Sequence, residues 1–376
     1  MSGTRVLMAG GGTAGHLFPC VAVAEELQVV DPGAEVRFIG AAGRIDAELL
    51  AARDLPHDLI DARPMPYGVS IAALSGIAGL VRGVLQTRKI IRRFRPDVMF
   101  NTGGYVGAAA GVAARLEKIP LVLHAADVLP DRSGRMLSRW AEVVTCVSPE
   151  AAEVFGEIAI VTGHPIRQEV AAATAEDGVR ELGLDPELRT LLVTGGSQGA
   201  RRLNTAVIGA LPELLDDLRL QVVHLSGSLD YESLRAEATR MGSPEHYHLI
   251  EHLPNVGLAL AAADLVVTRA GAASLAESCL HGVPMIVVPY PHAGGHQRLN
   301  AEPLAEAGAA VIVDDEAFTS QRLVALVGEI LGDDGLRRRM ADESLAAGSP
   351  GAAADVADTV LTIAEAESLA EEGSGA

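Results

Sequence analysis

One arrangement occurs twice in this chain and limits what it can fold into: a short apolar run, a glycine turn, then a helical pattern. Residues 5–9 lead into Gly10-Gly11-Gly12-Thr13-Ala14-Gly15 and a helical pattern over 18–29. Residues 190–194 lead into Gly195-Gly196-Ser197-Gln198-Gly199 and another helix. A short, continuously apolar strand needs cover on both faces, which a parallel sheet flanked by helices supplies. Further short apolar runs lie at 35–39, 97–100, 120–123 and 143–147, then at 221–225, 265–268, 285–288 and 310–313. Such alternation predicts βαβ units. At 376 residues the chain also exceeds what one core organises. The pattern breaks at the turn 160–167 and a polar, Ala-rich stretch follows. We therefore expect an α/β chain of two Rossmann-like, doubly wound parallel-sheet domains facing an interdomain cleft. Their expected spans are 1–163 and 164–350, with a C-terminal helix and flexible tail over 351–376.

With 49% hydrophobic and 21% charged residues the chain has enough apolar surface for packed cores. Aromatics make up only 3%, so those cores are built from Ala, Val, Leu and Ile. A net charge of -19 argues against a nucleic-acid partner, which requires a basic footprint. Cys20, Cys146 and Cys279 lack the spacing of a disulfide framework or zinc site and read as buried, reduced thiols. The opening Met1-Ser-Gly-Thr-Arg runs into a strand without a signal-peptide pattern, and no apolar stretch reaches membrane-spanning length. A soluble protein is expected, with contact at a membrane surface left open.

The first glycine loop satisfies G-x-G-x-x-G between a strand and a helix, the fingerprint of a dinucleotide site. That site needs an acidic side chain at the end of the second strand to hold ribose hydroxyls. Here the strand ends Phe38-Ile39-Gly40-Ala41, which offers no carboxylate, and the loop runs straight into His16. The same loop can instead approach another ligand closely at a helix N-terminus. His16 is then a candidate general base for an acceptor hydroxyl.

In the second half, the amides of 195–199 and the Ser197 hydroxyl form a plausible diphosphate seat. Further on, Arg269-Ala-Gly-Ala-Ala-Ser-Leu-Ala-Glu277 places small residues at a helix start, with Ser274 and Glu277 spaced as a capping box. Glu277 is a candidate acceptor for a ribose diol. The Pro/Gly-rich segment 289–301, with Gln297, carries polar groups suited to sugar hydroxyls.

Taken in order, these segments resemble the MurG-type N-acetylglucosaminyltransferases of glycosyltransferase family 28. The matching pieces are Gly11-Gly-Thr-Ala-Gly-His16, Gly103-Gly-Tyr-Val106, His164-Pro-Ile-Arg167, Gly195-Gly-Ser-Gln-Gly-Ala200, the stretch from Arg269 to Glu277, and that from Gln297 to Ala301. The resemblance implies the GT-B architecture and inverting transfer of GlcNAc from UDP-GlcNAc to the 4-hydroxyl of lipid I, an undecaprenyl-pyrophosphate-linked acceptor, giving lipid II. It implies that Thr13, Ala14 and Gly15 lie against the donor sugar and acceptor, with His16 as base. It puts Arg167 and Ser197 on the nucleotide, Gln198 among the substrate-binding residues and Leu253 on the uracil through its backbone. It assigns Ala272, Ala273, Ser274, Leu275, Ala276 and Glu277 to diphosphate and ribose, and Gln297 to the sugar. No metal or other cofactor is implied, and no Asp-x-Asp cluster is present.

Four positions depart from the family: Ala125, Asp127, Ala14 and Ser274. His124-Ala125-Ala126-Asp127 stands where the family has His-Glu-x-Asn, Ala14 replaces a glycine, and Ser274 replaces Thr. Asn both donates to and accepts from a sugar, whereas an ionised Asp127 only accepts and adds charge near a diphosphate. Asp127 is therefore the sugar-site position where donor or acceptor identity is open. A related GT-B transferase acting on another glycolipid or natural product, a UDP-GlcNAc 2-epimerase, and a non-catalytic nucleotide-sugar binder are the alternatives.

Residues 69–84 are apolar and small, and Arg82, Arg88, Lys89, Arg92, Arg93 and Arg95 fall within or just after them, with no acid between Asp61 and Asp97. An amphipathic helix of this kind suits an anionic bilayer, at roughly 1 kcal/mol per basic residue near the surface. The other reading is an ordinary helix with a solvated basic side. The expected location is peripheral, on the cytoplasmic face of a bacterial cell membrane.

Overall fold

A computed structural model of the chain describes residues 3–64, 71–196, 199–291 and 296–374. The chain divides into two compact units, one of residues 1–167 with 351–376 and the other of residues 168–350. The first contains a seven-stranded sheet of β1 (Arg5–Ala9), β2 (Glu35–Ala41), β3 (His57–Ile60), β4 (Val98–Asn101), β5 (Leu121–Ala125), β6 (Val143–Cys146) and β7 (Ala159–Val161). Its order is β3-β2-β1-β4-β5-β6-β7, with every pairing parallel. The second has β8 (Arg189–Thr194), β9 (Leu220–Leu225), β10 (Tyr247–Ile250), β11 (Leu265–Thr268), β12 (Met285–Val287) and β13 (Ala310–Ile312). They are all parallel in the order β10-β9-β8-β11-β12-β13. In both sheets the order reverses direction beside the first strand of the unit. That switch point, between β1 and β4 and again between β8 and β11, is where a doubly wound sheet opens a crevice at its carboxyl edge.

Both faces of each sheet are covered. In the first unit, Leu7 and Ala9 pack with Val106, Ala110 and Ala113 of the helix Gly104–Glu117, while Val6 and Met8 pack with Leu17 and Val21 of the helix Ala14–Val30. The alanines let that first helix sit close to the sheet, so few aromatics are needed. In the second unit, Leu191 and Val193 face Leu203, Val207 and Val327, and Leu192 faces Leu260 and Leu275. Cys20, Cys146 and Cys279 are free and buried.

The carboxyl-terminal helix, Ala352–Ser374, takes in nearly all of the stretch expected as helix and flexible tail and belongs to the first unit. Its Val356, Ala357, Val360 and Ala364 complete the layer around Val6, Met8, Phe100 and Val122. Residues 164–167 also fall in the first unit, where the Arg167 guanidinium lies 3.9 Å from the Phe18 ring centroid. Among the described residues no helix is long and apolar enough to cross a membrane.

Three histidines are buried on these sheets or just beyond them. Burial pushes His164 and His224 down to about 4 and His124 well below its ordinary value, with further repulsion of His124 by His164 and His16 and of His164 by His16. An unfolded histidine titrates near 6.5, so protons bind the unfolded chain first. Their contribution is whole above about pH 6.5 and is lost as pH falls toward 4.

Two outcomes follow from this packing. Removing residues 351–376 exposes the Val6–Met8 face and lowers the first unit's melting temperature by roughly 10 °C or more; an unchanged calorimetric transition would contradict the packing described. Urea unfolding at pH 5 gives a stability lower than at pH 7 by about 2 kcal/mol or more, and His224→Gln reduces that difference.

Candidate active site

The first unit's switch point is held together by side chains that close over backbone. Asn101, buried at the end of β4, accepts from Gly103 N at 2.8 Å and donates to Gly107 O at 2.9 Å. This staples the turn Gly103–Gly104, whose φ values of +81° and +71° favour glycine. Thr102 then bonds reciprocally to His16: its hydroxyl donates to His16 O at 2.6 Å, and its carbonyl meets His16 Nδ1 at 2.9 Å. A carbonyl only accepts, so Nδ1 carries the proton and Nε2 holds the lone pair. A Cβ on Gly104 would stand 3.2 Å from that Nε2. Lacking one, Gly104 leaves the ring its place.

His16 is the third residue of the Ala14–Val30 helix, whose N-cap, Thr13, makes no side-chain cap bond. Thr13 and Gly15 are exposed and Ala14 half-buried, so these residues line the open edge beside His16. Two more histidines lie beneath: His124 at the end of β5 and His164 after β7, with ring centroids 5.5 Å apart. Both are neutral near pH 7 and act on His16 as uncharged neighbours. Asp127 sits half-buried in the loop after β5, on the same carboxyl edge.

One residue at this edge has no motif in the sequence to announce it. The carboxylate missing from the end of β2 is supplied by Asp46, at the second position of the helix Ile45–Ala52 and fully buried. Its Oδ2 accepts from Gly12 N and from Ala41 N, both at 2.7 Å. Turned inward to the loop, it is not available to a ribose. The dinucleotide fingerprint is thus occupied from within.

In the second unit the motif residues gather at the corresponding edge. Ser197 and Gln198 lie outside the described residues, but the glycines around them are placed. Gly199, at φ +74°, passes so close to the strand β9 exit that a Cβ would meet Ser226 O at 2.1 Å. Gly196, at φ +80°, has open space where a Cβ would stand. Leu253 follows β10, half-buried against the core beneath β11. Arg269, after β11, donates to Asp315 at 2.6 Å and to Val288 O at 3.0 Å and is largely buried, which anchors the turn into the next helix.

That helix, Ala272–Leu280, begins one residue after Gly271, its N-cap, and no side chain caps it. The capping-box reading of Ser274 and Glu277 is therefore corrected. Ser274 is the third helical residue and donates no cap, because the turn from Arg269 starts the helix earlier. Glu277 lies in the sixth position, half-buried. The amides of Ala272, Ala273 and Ser274 form an uncapped positive end, and Gly271 has nothing within 4 Å of a would-be Cβ. Leu275 is buried in the core of this unit and Ala276 is half-buried. Gln297 accepts from Tyr290 N at 2.8 Å, on the segment that follows β12; residues 292–295 lie outside the described residues. All four helices that leave the two switch points lack a side-chain cap, as do Ile45–Ala52, Tyr231–Arg240 and Gly257–Ala261, whereas Asp131, Ser148, Thr174, Thr319 and Asp333 cap others.

The basic run forms the helix Ile71–Phe94. The fold brings acids to it that are remote in sequence. Arg82 pairs with Asp61 at 2.9 Å, Arg88 and Arg92 with Glu117 at 2.6 and 3.0 Å, and Arg93 with Asp58 at 2.8 Å. Lys89 is exposed, as are Ile77, Val81 and Leu85, spaced four apart along one face. Residues 69 and 70 of the predicted stretch lie outside the described residues.

Residues 6–146 match the glycosyltransferase family 28 N-terminal domain and residues 190–357 its C-terminal domain. A curated relative from Corynebacterium diphtheriae, named UDP-N-acetylglucosamine--N-acetylmuramyl-(pentapeptide) pyrophosphoryl-undecaprenol N-acetylglucosamine transferase, is 38% identical over 96% of this chain and 98% of its own length. One of the same name from Halothermothrix orenii is 34% identical over 92% and 95%. A crystal structure of Acinetobacter baumannii MurG superposes with a TM-score of 0.71 at 25% identity, covering 96% of this chain and 99% of that one. A Neisseria meningitidis UDP-GlcNAc 2-epimerase, at 16% identity and a TM-score of 0.68, shares the fold. With both domains matched and curated relatives aligned along nearly its whole length, the chain belongs to glycosyltransferase family 28.

Proposed function

We propose that this chain is an inverting N-acetylglucosaminyltransferase that moves GlcNAc from UDP-GlcNAc to the 4-hydroxyl of the muramoyl sugar of an undecaprenyl-pyrophosphate-linked acceptor, lipid I, and so forms lipid II. The observation that carries this reading is the 34–38% identity to relatives of that activity over nearly the whole chain. The site chemistry agrees with it. His16 Nε2 takes the proton as the acceptor oxygen bonds to the anomeric carbon on the face opposite the nucleotide, and the bond from that carbon to the diphosphate oxygen breaks. UDP leaves with the electron pair. In this reading the uncapped amides at 272–274 stabilise the departing charge, with Ser197 a further nucleotide contact and no metal required. Arg167 and Leu253 belong to the nucleotide contacts in this reading, with Glu277 on the ribose and Gln297 and Asp127 toward the sugars.

We also place the enzyme peripherally on the cytoplasmic face of the membrane, held by the helix Ile71–Phe94. Four of its arginines are already ion-paired within the protein, which lowers their worth to an anionic surface. Ile77, Val81 and Leu85 are each about half exposed, and burying an aliphatic side chain fully is worth about 1.5–3 kcal/mol. The apolar face is then the larger contribution and the cations orient it.

Labelled UDP-GlcNAc with a short-chain lipid I analogue gives a disaccharide product under this reading; UDP binding with no transfer to any acceptor in a panel would contradict it. His16→Ala lowers kcat by about 10²–10⁴ with the UDP-GlcNAc KM unchanged, and a kcat near that of the parent would remove His16 as base. The double variant Val81→Glu with Leu85→Glu loses retention on vesicles containing anionic lipid by about tenfold or more. Equal retention of parent and variant would place the membrane contact elsewhere.

A further inference from the structure

Behind the second glycine loop runs a line of buried polar groups that none of the substrate contacts uses. Asn204 in the helix Arg201–Pro212, His224 on β9 and Ser226 just after it are all buried. Asn204 Nδ2 donates to Ser226 O and to Asp230 Oδ2, both at 3.0 Å. The carbonyl of Ser226 only accepts, which fixes the amide's orientation and turns its Oδ1 to His224 Nε2 at 2.9 Å. That oxygen also accepts, so Nε2 carries the ring's proton. Nδ1 then holds the lone pair and takes the hydrogen of the Tyr247 hydroxyl at 2.8 Å. Burial keeps this imidazole neutral at pH 7, pushing it down to about 4. The hydrogen bonds thus run one way, from Tyr247 on the edge strand β10 to the Ser226 carbonyl.

Two features show what this line supports. Asp230 is the N-cap of the helix Tyr231–Arg240, a position where a carboxylate ordinarily bonds the first amides, yet it caps none of them. Its carboxylate takes Asn204 and, at 3.3 Å, Arg201 Nε instead. Ser226 O is the atom against which Gly199 packs, 2.1 Å from a would-be Cβ, and Gly199 N closes the loop on Gly196 O at 2.9 Å. Ser226 N donates to Ile250 O at 3.0 Å, at the end of the strand that leads to Leu253. One residue therefore backs the end of the glycine loop and is tied to the segment that follows β10.

Building on the transferase reading, in which the loop 195–199 and Leu253 hold the nucleotide, we propose that Asn204, oriented by His224 and Tyr247, is a positioning residue that sets the affinity for UDP-GlcNAc. It holds the Ser226 carbonyl on which Gly199 rests, so the loop keeps its shape before the nucleotide arrives and less ordering is left to binding. Asn204 acts through the loop and touches neither substrate. Every member of the line lies in the second unit, so the acceptor KM does not follow it.

The test measures UDP binding by calorimetry, and both KM values, on the full chain. Asn204→Asp keeps the size and the acceptor for His224 but removes both donated hydrogens. Its UDP Kd and UDP-GlcNAc KM rise about tenfold or more, while the acceptor KM stays parental. Tyr247→Phe keeps the ring, removes the hydroxyl that fixes the His224 tautomer, and raises the UDP Kd about threefold. Gln221→Glu is the stability control: this buried amide on the same strand bonds Asp185 and Thr190 at the amino edge of the sheet. It lowers the melting temperature and leaves the UDP Kd alone. A parental UDP Kd in either folded variant overturns the proposal, and Tyr247→Phe decides where Asn204→Asp fails to fold. An equal rise of the Kd in Gln221→Glu overturns it too, as do ¹⁵N spectra of the parent that place the His224 proton on Nδ1. Loss of the transferase reading shows separately, as a parent that binds UDP without transfer or binds none.

Discussion

The Thr102–His16 lock sets the geometry on which the rest of the first unit depends. Two backbones leave adjacent parallel strands, and the threonine ties them by its hydroxyl and its carbonyl at once. That closeness is available only because Gly10 has no side chain to strike Thr102 and Gly104 none to strike the imidazole. From it come the tautomer of His16, the direction of its lone pair and the start of the Ala14–Val30 helix. Asn101 fixes the second backbone in turn, so the orientation of a candidate base traces back to the exit of β4.

The two units share one topology at their switch points. Both place a glycine loop and an uncapped helix at the switch point, where peptide dipoles favour negative charge. In the second unit the open positions, Gly196 and Gly271, adjoin those helix ends, and Arg269 is consumed in anchoring the turn by Asp315. In the first unit a carboxylate has been built beneath the loop. Asp46, with the glycines around it, is what distinguishes the first loop from the second.

Much of this was legible in the sequence. The central strands, both glycine loops and the helix of basic residues follow from apolar runs and turn residues, since a strand buried on both faces has little freedom of composition. The strands missing from that reading, β3, β7 and β10, are edge strands of three or four residues. His57, Asp58, Tyr247 and His248 interrupt two of them because an edge is only half covered. Asp46 could not be read as a loop partner, because its bonds run to Gly12, 34 positions away, through space. The helix at Ala272 starts where Arg269 is anchored, not where Ser and Glu are spaced, which is why a local cap pattern misled. The basic run likewise looked unopposed until folding brought Asp58, Asp61 and Glu117 to it.

The central claim is that nucleotide and acceptor chemistry are divided between the two loops. Hydrogen exchange of the full chain, with and without saturating UDP, reads this division directly by mass spectrometry of its peptides. The account predicts slowed exchange at 195–204 and 269–280 and no change at 10–16. Protection of 10–16 with none at 269–280 would contradict it.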